Sequence, residues 1–156
     1  MPRSSHVLRF AVRPVDDRHI VSVMSVVMTE EAKRLLNAPE YAVLATVEPD
    51  GQPQLSVVWV AREDEDVLVS TVRGRRKELN LRRDSKVTIL VYPADNPQEY
   101  LEVRGQAVLV DDPDGDLIQA LSRKYTGKPF TADEGTGNER VIVRIRPERV
   151  FHRNRT

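Results

Sequence analysis

Residues 43–91 read VLATVEPDGQPQLSVVWVAREDEDVLVSTVRGRRKELNLRRDSKVTILV, and this stretch decides the fold. Polar turns divide it into apolar, β-prone runs. The turn at residues 48–51, EPDG, is a strong hairpin signal because proline fixes φ and glycine adopts the left-handed conformation. The stretch therefore predicts strands over residues 41–47, 54–61 and 67–72, the first two of which form a hairpin, with residues 62–66 as a polar turn.

A dense basic segment follows the third predicted strand. Six cations lie between Arg73 and Arg83, and Glu78 is the only acid among them. Phosphate recognition uses bidentate arginine and a mobile lysine charge beside free backbone N–H groups, such as those expected near Gly74 at the start of a helix. The segment predicts a phosphate site and a short helix over residues 78–83, anchored by Leu79 and Leu81.

Two other interpretations of the basic segment stay open. A solvated, salt-bridged helix face is the commoner role of a run of charges. RNA binding is a third, which the lack of interleaved aromatic residues and the neutral net charge disfavour.

The composition limits the class of protein. A chain of 156 residues favours one domain, and its 24 Lys plus Arg equal its 24 Asp plus Glu, which disfavours a nucleic-acid or membrane-surface binder. There is no cysteine for disulfide or thiolate chemistry, and the three histidines show no metal-site spacing. No apolar run approaches the roughly 20 residues that span a bilayer. We expect a cytoplasmic protein that binds small molecules and uses no metal.

Residues 1–27 are arginine-rich and have no sustained hydrophobic period. The composition predicts a disordered extension, with Met24 or Met28 as the natural start and one domain over residues 28–156. A targeting segment is the alternative, because residues 20–27 are largely apolar, but this run is short and no cleavage signal follows it. We expect that deleting residues 1–27 leaves folding and cofactor binding intact.

The rest of the chain predicts more strands with a few helices. Thr29 is a plausible N-cap for a helix that Pro39 stops, and an acidic cap at residues 111–114, with Pro113 near the first helical position, starts another. Gly105 within a strand suggests a bulge or a close backbone approach. Further strands are predicted over residues 86–92, 100–110, 140–145 and 149–152, with Leu117, Ile118 and Leu121 on the buried side of the last helix.

The connections are mostly hairpins, so about six or seven strands with two or three helices predict an antiparallel barrel with helices as plugs. Residues 127–138 form a long loop, and long loops in compact domains are often functional.

Two aromatic features have a functional and a structural interpretation. Trp59 is either a wall for a planar ring or, more commonly, a core aromatic. Tyr125 and the loop after it either close over a ligand or form a helix C-cap at Gly127. No Ser-His-Asp arrangement and no paired carboxylates placed for acid–base work are present, so no catalytic residue is predicted.

Two motifs in the chain resemble a known family. D-G-x-P-Q-x-S at residues 50–56 and R-x-K-x-x-N-L-R-R-D at residues 75–84 resemble the split-barrel flavin and deazaflavin oxidoreductases related to pyridoxamine 5′-phosphate oxidase. The second motif is more similar to the actinobacterial branch that uses coenzyme F-420, a deazaflavin. The resemblance implies a mainly β, six-stranded antiparallel split barrel that works as a homodimer, with cofactor sites in the dimer groove.

The resemblance also implies roles for individual residues. Arg75 and Lys77 are implied to contact the cofactor phosphate, with Arg76 and Asn80 nearby. Ser56, Val57 and Val58 are implied to line the ring, and Ser70 and Thr71 to lie beside the tail. Trp59 is implied to face the ring or the substrate. Arg82, further along the helix, is expected to matter little, and Tyr125 with its loop could come from the partner subunit.

Three functions follow from this resemblance. The first is a deazaflavin-dependent reductase that transfers a hydride to a small conjugated or heteroaromatic acceptor. The second is an FMN-dependent oxidoreductase, and the third is a non-catalytic protein that binds a cofactor or a tetrapyrrole. Pyridoxamine phosphate oxidases carry a C-terminal R-x-H motif, whereas Arg149 and His152 are spaced R-x-x-H, so that specific activity is disfavoured.

Overall fold

The computed structural model describes residues 26–154. Most of the predicted extension at residues 1–27 lies outside the described residues. Within them the elements are, in chain order, α1 (Glu30–Asn37), β1 (Ala42–Val47), β2 (Pro53–Val58), β3 (Ala61–Glu63), β4 (Asp66–Val72), α2 (Arg76–Arg83), β5 (Lys86–Val91), β6 (Tyr100–Asp111), α3 (Asp116–Thr126) and β7 (Arg140–Arg153).

The strands form one sheet in the order β2-β1-β5-β6-β7-β4-β3, and every neighbouring pair is antiparallel. The predicted mainly β, antiparallel fold is confirmed. The described residues contain seven strands rather than the six that the resemblance implied, since the chain breaks after Val58 and resumes pairing as the short β3. The two strands predicted over residues 140–145 and 149–152 are one continuous strand, β7.

The bulge predicted at Gly105 is confirmed and explains how Pro147 fits inside β7. The β6–β7 register shifts between Arg104 and Gly105, so that Gly105 lies opposite Pro147. A bulge tolerates proline because the ladder there does not require its missing N–H. A β-carbon on Gly105 would lie 2.0 Å from the carbonyl oxygen of Arg146, so the two backbones approach too closely for any other residue.

We expect Gly105→Ala to lower the free energy of unfolding by at least about 2 kcal/mol, since overpacking against backbone cannot relax by a side-chain movement. Urea unfolding measures the effect. Gly137→Ala is the matched control, because a β-carbon there meets nothing within 4 Å. Equal stability of the two variants would contradict the close approach.

The main core lies on one face of the sheet and includes fully buried residues from α1 and several strands, such as Leu36, Leu44, Ile89 and Leu101. A second, smaller cluster lies on the other face of β4 and β7, where Leu68 and Ile142 contact Leu117 and Leu121 of α3. Because successive strand residues point to opposite faces, β4 serves both clusters. The second cluster places α3 beside the ends of β2 and β4.

The start of α1 agrees with the prediction, whereas one predicted anchor of α2 does not. The Thr29 side chain accepts the Ala32 N–H at 3.2 Å, which confirms the N-cap of α1. In α2, Leu81 is buried as predicted, but the prediction for Leu79 is wrong, since it is 46% exposed.

The start of α3 lies later in the chain than the sequence predicts. Asp112 accepts the N–H groups of Asp116 and Leu117 at 3.1 and 3.0 Å. The predicted position of Pro113 at the first helical turn is wrong, because the helix begins at Asp116. None of the helices within residues 26–154 is long and apolar enough to cross a membrane.

Candidate functional site

A cavity of about 280 Å³ opens between the ends of β2 and β4, the start of α2, the body of α3 and the loop after α3. One end of its lining is aromatic and aliphatic, and the other is charged. The lining residues are Tyr41, Val57, Val58, Trp59, Ser70, Arg75, Lys77, Ile118, Leu121, Phe130, Ala132, Asp133, Asn138 and Arg140.

Four of the six cations in the basic segment are bound to other groups of the chain. Arg73 pairs with Glu139 at 2.8 Å and with Asp111, and Arg76 pairs with Glu48 at 3.5 Å. Arg82 pairs with Glu78 at 2.5 Å, and Arg83 donates to Val47 O and to Asn80 Oδ1. These cations are therefore already neutralised or hydrogen-bonded.

Arg75 and Lys77 are different, because neither side chain has a hydrogen-bond or ion-pair partner within residues 26–154. Both line the cavity. Burial lowers the pKa of the Lys77 ammonium, and the Arg75 charge lowers it further. Two unpaired cations at one end of a cavity, each raising the free energy of the other, form a site that an anion would stabilise.

The expectation that backbone N–H groups beside Gly74 are free is wrong. The Gly74 N–H donates to Glu78 Oε2 at 2.9 Å, and the Arg75 N–H donates to Val72 O at 3.1 Å. Glu78 is fully buried and holds the turn before α2 in place. No side chain caps the N-terminus of α2, so the end of the helix itself stays available to a ligand.

The apolar end of the cavity is built on a stack of aromatic rings. The Trp59 and Tyr125 rings lie 5.3 Å apart and 13° from parallel. The Tyr125 hydroxyl accepts the Val60 N–H at 3.1 Å and donates to Glu40 O at 2.5 Å. Trp59 packs against the second cluster, as a core aromatic does, and also lines the cavity.

Lys124 holds the backbone next to the Trp59–Tyr125 ring pair, and its Nζ lies 5.2 Å from the Tyr125 ring centroid. Its Nζ donates to Leu36 O at 2.6 Å and to Val60 O at 2.5 Å, and burial lowers its pKa to about 8.

The Tyr125 ring contacts Trp59 of its own chain. Phe130, Ala132, Asp133 and Asn138 of the loop line the cavity of their own chain, and a contribution of Tyr125 and its loop to a partner's site stays a prediction.

Three predicted hydroxyls lack a hydrogen-bond partner, and their Oγ atoms are buried. They belong to Ser56, Ser70 and Thr71. Only Ser70 lines the cavity. A buried hydroxyl without a partner is costly, so a hydrogen bond from a ligand to Ser70 would be favourable.

The loop after α3 is fastened by side chains rather than by secondary structure. Gln119 exchanges two hydrogen bonds with the Phe130 backbone, at 2.8 and 3.0 Å. Arg140 binds Asp133 through Nε at 2.6 Å and Nη2 at 3.0 Å, and its guanidinium lies 4.9 Å from the Phe130 ring centroid. The loop is therefore a fixed wall of the cavity.

The structure brings together Val57, Val58, Trp59, Ser70, Arg75 and Lys77 of the predicted site residues. The other four predicted residues, Ser56, Thr71, Arg76 and Asn80, do not line the cavity. Asn80 is 1% exposed and donates to Thr46 Oγ1 at 3.0 Å, so it joins α2 to β1.

Sequence reasoning missed the contributions of Tyr41, Ile118, Leu121, Phe130, Ala132, Asp133, Asn138 and Arg140 to the lining. The length of the loop over residues 127–138 was the only available signal, and it pointed to function without naming a residue.

Comparison with known proteins identifies the family and the fold. The pyridoxamine 5′-phosphate oxidase family model matches residues 28–154. A structure described as an F420 reductase is 35% identical, with a TM-score of 0.72, and the match covers 80% of this chain and 98% of that one.

Two further structures extend the comparison. A conserved hypothetical protein, Rv2991 from Mycobacterium tuberculosis, is 30% identical with a TM-score of 0.67, covering 84% of this chain and 88% of that one. A pyridoxamine 5′-phosphate oxidase-related, FMN binding protein from Nostoc punctiforme shares the fold, with 19% identity, a TM-score of 0.54 and coverage of 78% of each chain. The predicted split-barrel fold is confirmed, and the chain belongs to the pyridoxamine 5′-phosphate oxidase family.

Proposed function

We propose that the cavity binds a flavin-type cofactor through its phosphate, and that the protein is a reductase that uses coenzyme F-420. The observation that carries this proposal is the selective pairing in the basic segment. Among the six cations of this segment, the four outside the cavity lining have partners, whereas Arg75 and Lys77, which line the cavity, have none within residues 26–154. Charge-assisted hydrogen bonds from these two groups would hold one phosphate.

The rest of the lining fits the other parts of such a cofactor. Val57, Val58 and Trp59 form an apolar wall for a planar ring, and the Ser70 hydroxyl offers the ring or tail a hydrogen bond. Ser56, Thr71, Arg76 and Asn80 stay in the proposal as neighbours that support this wall and the start of α2. When bound, a deazaflavin supplies hydride-transfer chemistry itself, so the protein needs only to bind, orient and exclude water.

Two observations favour the deazaflavin over FMN. The motif at residues 75–84 is more similar to the deazaflavin branch, and the F420 reductase structure is 35% identical over most of both chains. FMN is the alternative on the same fold. Retention of each cofactor after gel filtration compares the two directly.

Catalysis is tested separately from binding. We expect the protein to oxidise reduced F-420 when a small conjugated acceptor, such as an enone, is supplied. A protein that holds the cofactor but turns over no conjugated, heteroaromatic or tetrapyrrole acceptor is a carrier, which is the third function. The R-x-x-H spacing disfavours pyridoxamine phosphate oxidation, and His152 lies outside the cavity lining, where it bonds Glu99 at 3.2 Å. The proposed location of the protein is the cytoplasm.

A homodimer is also proposed, and the outward face of the sheet supports it. Val43, Ala45, Leu55, Val57 and Leu90 lie on one face of β2, β1 and β5 by register. Leu55 is 62% and Val57 is 69% exposed. Contiguous exposed apolar surface marks an interaction site, and Val57 also lines the cavity, so this interface would place a second copy beside the cofactor.

We expect Leu55→Glu to convert a dimer into a monomer in equilibrium sedimentation at micromolar concentration, because a buried unpaired carboxylate opposes association. Leu79→Glu is the control, since Leu79 is also exposed but lies on α2, away from this face. A wild-type protein that sediments as a monomer would contradict the dimer and the placement of a second copy at the site.

The lowered pKa of Lys77 predicts how cofactor affinity depends on pH. A bound phosphate favours the ammonium, so binding raises the lowered pKa back toward its ordinary value of 10.5. Between the free and bound pKa values, binding takes up a proton, and affinity falls as pH rises. We expect weaker FMN binding at about pH 9.5 than at about pH 7, and a smaller difference for Lys77→Arg, whose guanidinium stays charged. An unchanged pH dependence in Lys77→Arg would place the titrating group elsewhere.

A further inference from the structure

A third cation, Arg140, lines the charged end of the cavity, and Asp133 accepts hydrogen bonds from two of its three nitrogens. Asp133 accepts from Nε at 2.6 Å and from Nη2 at 3.0 Å. Nη1 has no acceptor among the described residues. Arg140 is only 7% exposed and is held against Phe130 at 4.9 Å. The guanidinium is therefore fixed at the cavity wall, and its Nε–Nη2 edge is bonded to Asp133.

The Asp133 carboxylate is itself part of the lining. It accepts a further hydrogen bond from Asn138 Nδ2 at 2.9 Å. Hydrogen bonds from Arg140 hold the pKa of Asp133 below its usual range, and the Arg75 charge contributes to the same shift. Asp133 is thus a fixed negative charge close to both Arg140 and Arg75.

We propose that Asp133 is a specificity-determining residue that masks Arg140 and limits the anion site to a single phosphate group. The inference rests on the proposed function. With Arg140 neutralised, the available positive charge is that of Arg75 and Lys77, which suffices for one phosphate group. A second phosphate beside the first would approach the Asp133 carboxylate, and like charges placed against each other reject a ligand.

Replacing Asp133 by asparagine removes the repulsion and frees one of the two bonded Arg140 nitrogens, because the amide offers a single acceptor oxygen in place of two. The probes are inorganic phosphate and pyrophosphate, and Trp59, the only tryptophan in the chain, reports their binding through its fluorescence. We expect Asp133→Asn to improve the affinity for pyrophosphate about tenfold relative to phosphate, because one new charge-assisted hydrogen bond of about 1.5 kcal/mol corresponds to roughly that factor.

Two controls separate unmasking from a general change in charge. Glu139→Gln removes an acid close in sequence that pairs with Arg73 and does not line the cavity, so it should leave the affinity ratio unchanged. The double variant Asp133→Asn/Arg140→Gln keeps the neutralised Asp133 but lacks the released guanidinium, so it should lose the gain. Asp133→Ala replaces the asparagine variant if circular dichroism shows that the latter does not fold.

Each outcome separates the two proposals. If wild type binds phosphate in a Lys77-dependent manner but the ratio is unchanged in Asp133→Asn, or if the gain persists without Arg140, this inference is overturned and the proposed function stands. If wild type binds neither anion, this inference is overturned, and the proposed function is overturned with it only if coenzyme F-420 and FMN also fail to bind.

Discussion

Lys77→Ala is expected to weaken the binding of coenzyme F-420 and of FMN by roughly ten- to a hundredfold. Lys77 lines the cavity, has no partner among the described residues, and has its pKa lowered by burial and by Arg75. A charge-assisted hydrogen bond contributes about 1.5–3 kcal/mol, and each 1.4 kcal/mol is tenfold in affinity. Arg75→Ala should have a similar effect for the same reason. Isothermal titration calorimetry at two salt concentrations measures both.

Matched controls distinguish the site from the net charge of the protein. Lys86→Ala and Arg34→Ala each remove the same kind of cation from an exposed position outside the cavity lining. Both controls should keep the wild-type affinity within about twofold, since exposed charges interact weakly at a distance in salt. If the controls lose as much affinity as Lys77→Ala and Arg75→Ala, binding depends on overall charge and not on this cavity.

Arg82→Ala is expected to lower the free energy of unfolding by about 3 kcal/mol. Glu78 is 0% exposed, and Arg82 Nε lies 2.5 Å from its carboxylate. Removing one partner of an ion pair that involves a buried charge leaves that charge uncompensated, which typically costs about 3–5 kcal/mol. Arg82 is itself partly exposed, so water can replace some of the interaction, and we expect the lower end. Urea unfolding followed by circular dichroism measures the loss.

The control for Arg82 is Arg76→Ala on the same helix. Arg76 is 67% exposed and pairs with Glu48 at 3.5 Å, and exposed pairs contribute about 0–1 kcal/mol. A loss below about 1 kcal/mol in Arg82→Ala would show that water solvates Glu78 readily. The result bears on binding as well, because Glu78 holds the Gly74 N–H beside Arg75.

The sequence could predict the elements whose signals are local. The hairpin at residues 48–51, the N-cap at Thr29 and the bulge at Gly105 depend on residues close together in the chain. The division into strands differed because strand ends are set by tertiary pairing. The short β3 pairs separately with β4, and β7 continues through Pro147 because Gly105 of the neighbouring strand makes room for it.

The candidate site was predictable only in part. The basic segment was visible, but which of its cations stay free depends on acids that lie elsewhere in the chain, such as Glu48 for Arg76 and Glu139 for Arg73. The structural role of Arg82 was not predicted, because the highly charged sequence of α2 gives no sign that Glu78 is buried. The loop residues that complete the cavity, Asp133 among them, reach it through contacts with α3 and β7 that no local pattern specifies.

The most direct test of the central claim is a fluorescence titration of the purified protein with coenzyme F-420, observed at Trp59, the only tryptophan, which lies in the cavity wall. The account predicts saturable quenching that persists in Lys86→Ala and requires at least about tenfold more cofactor in Lys77→Ala. Quenching that is identical in Lys77→Ala, or no saturable change with either F-420 or FMN, would contradict the claim that Arg75 and Lys77 hold a cofactor phosphate in this cavity.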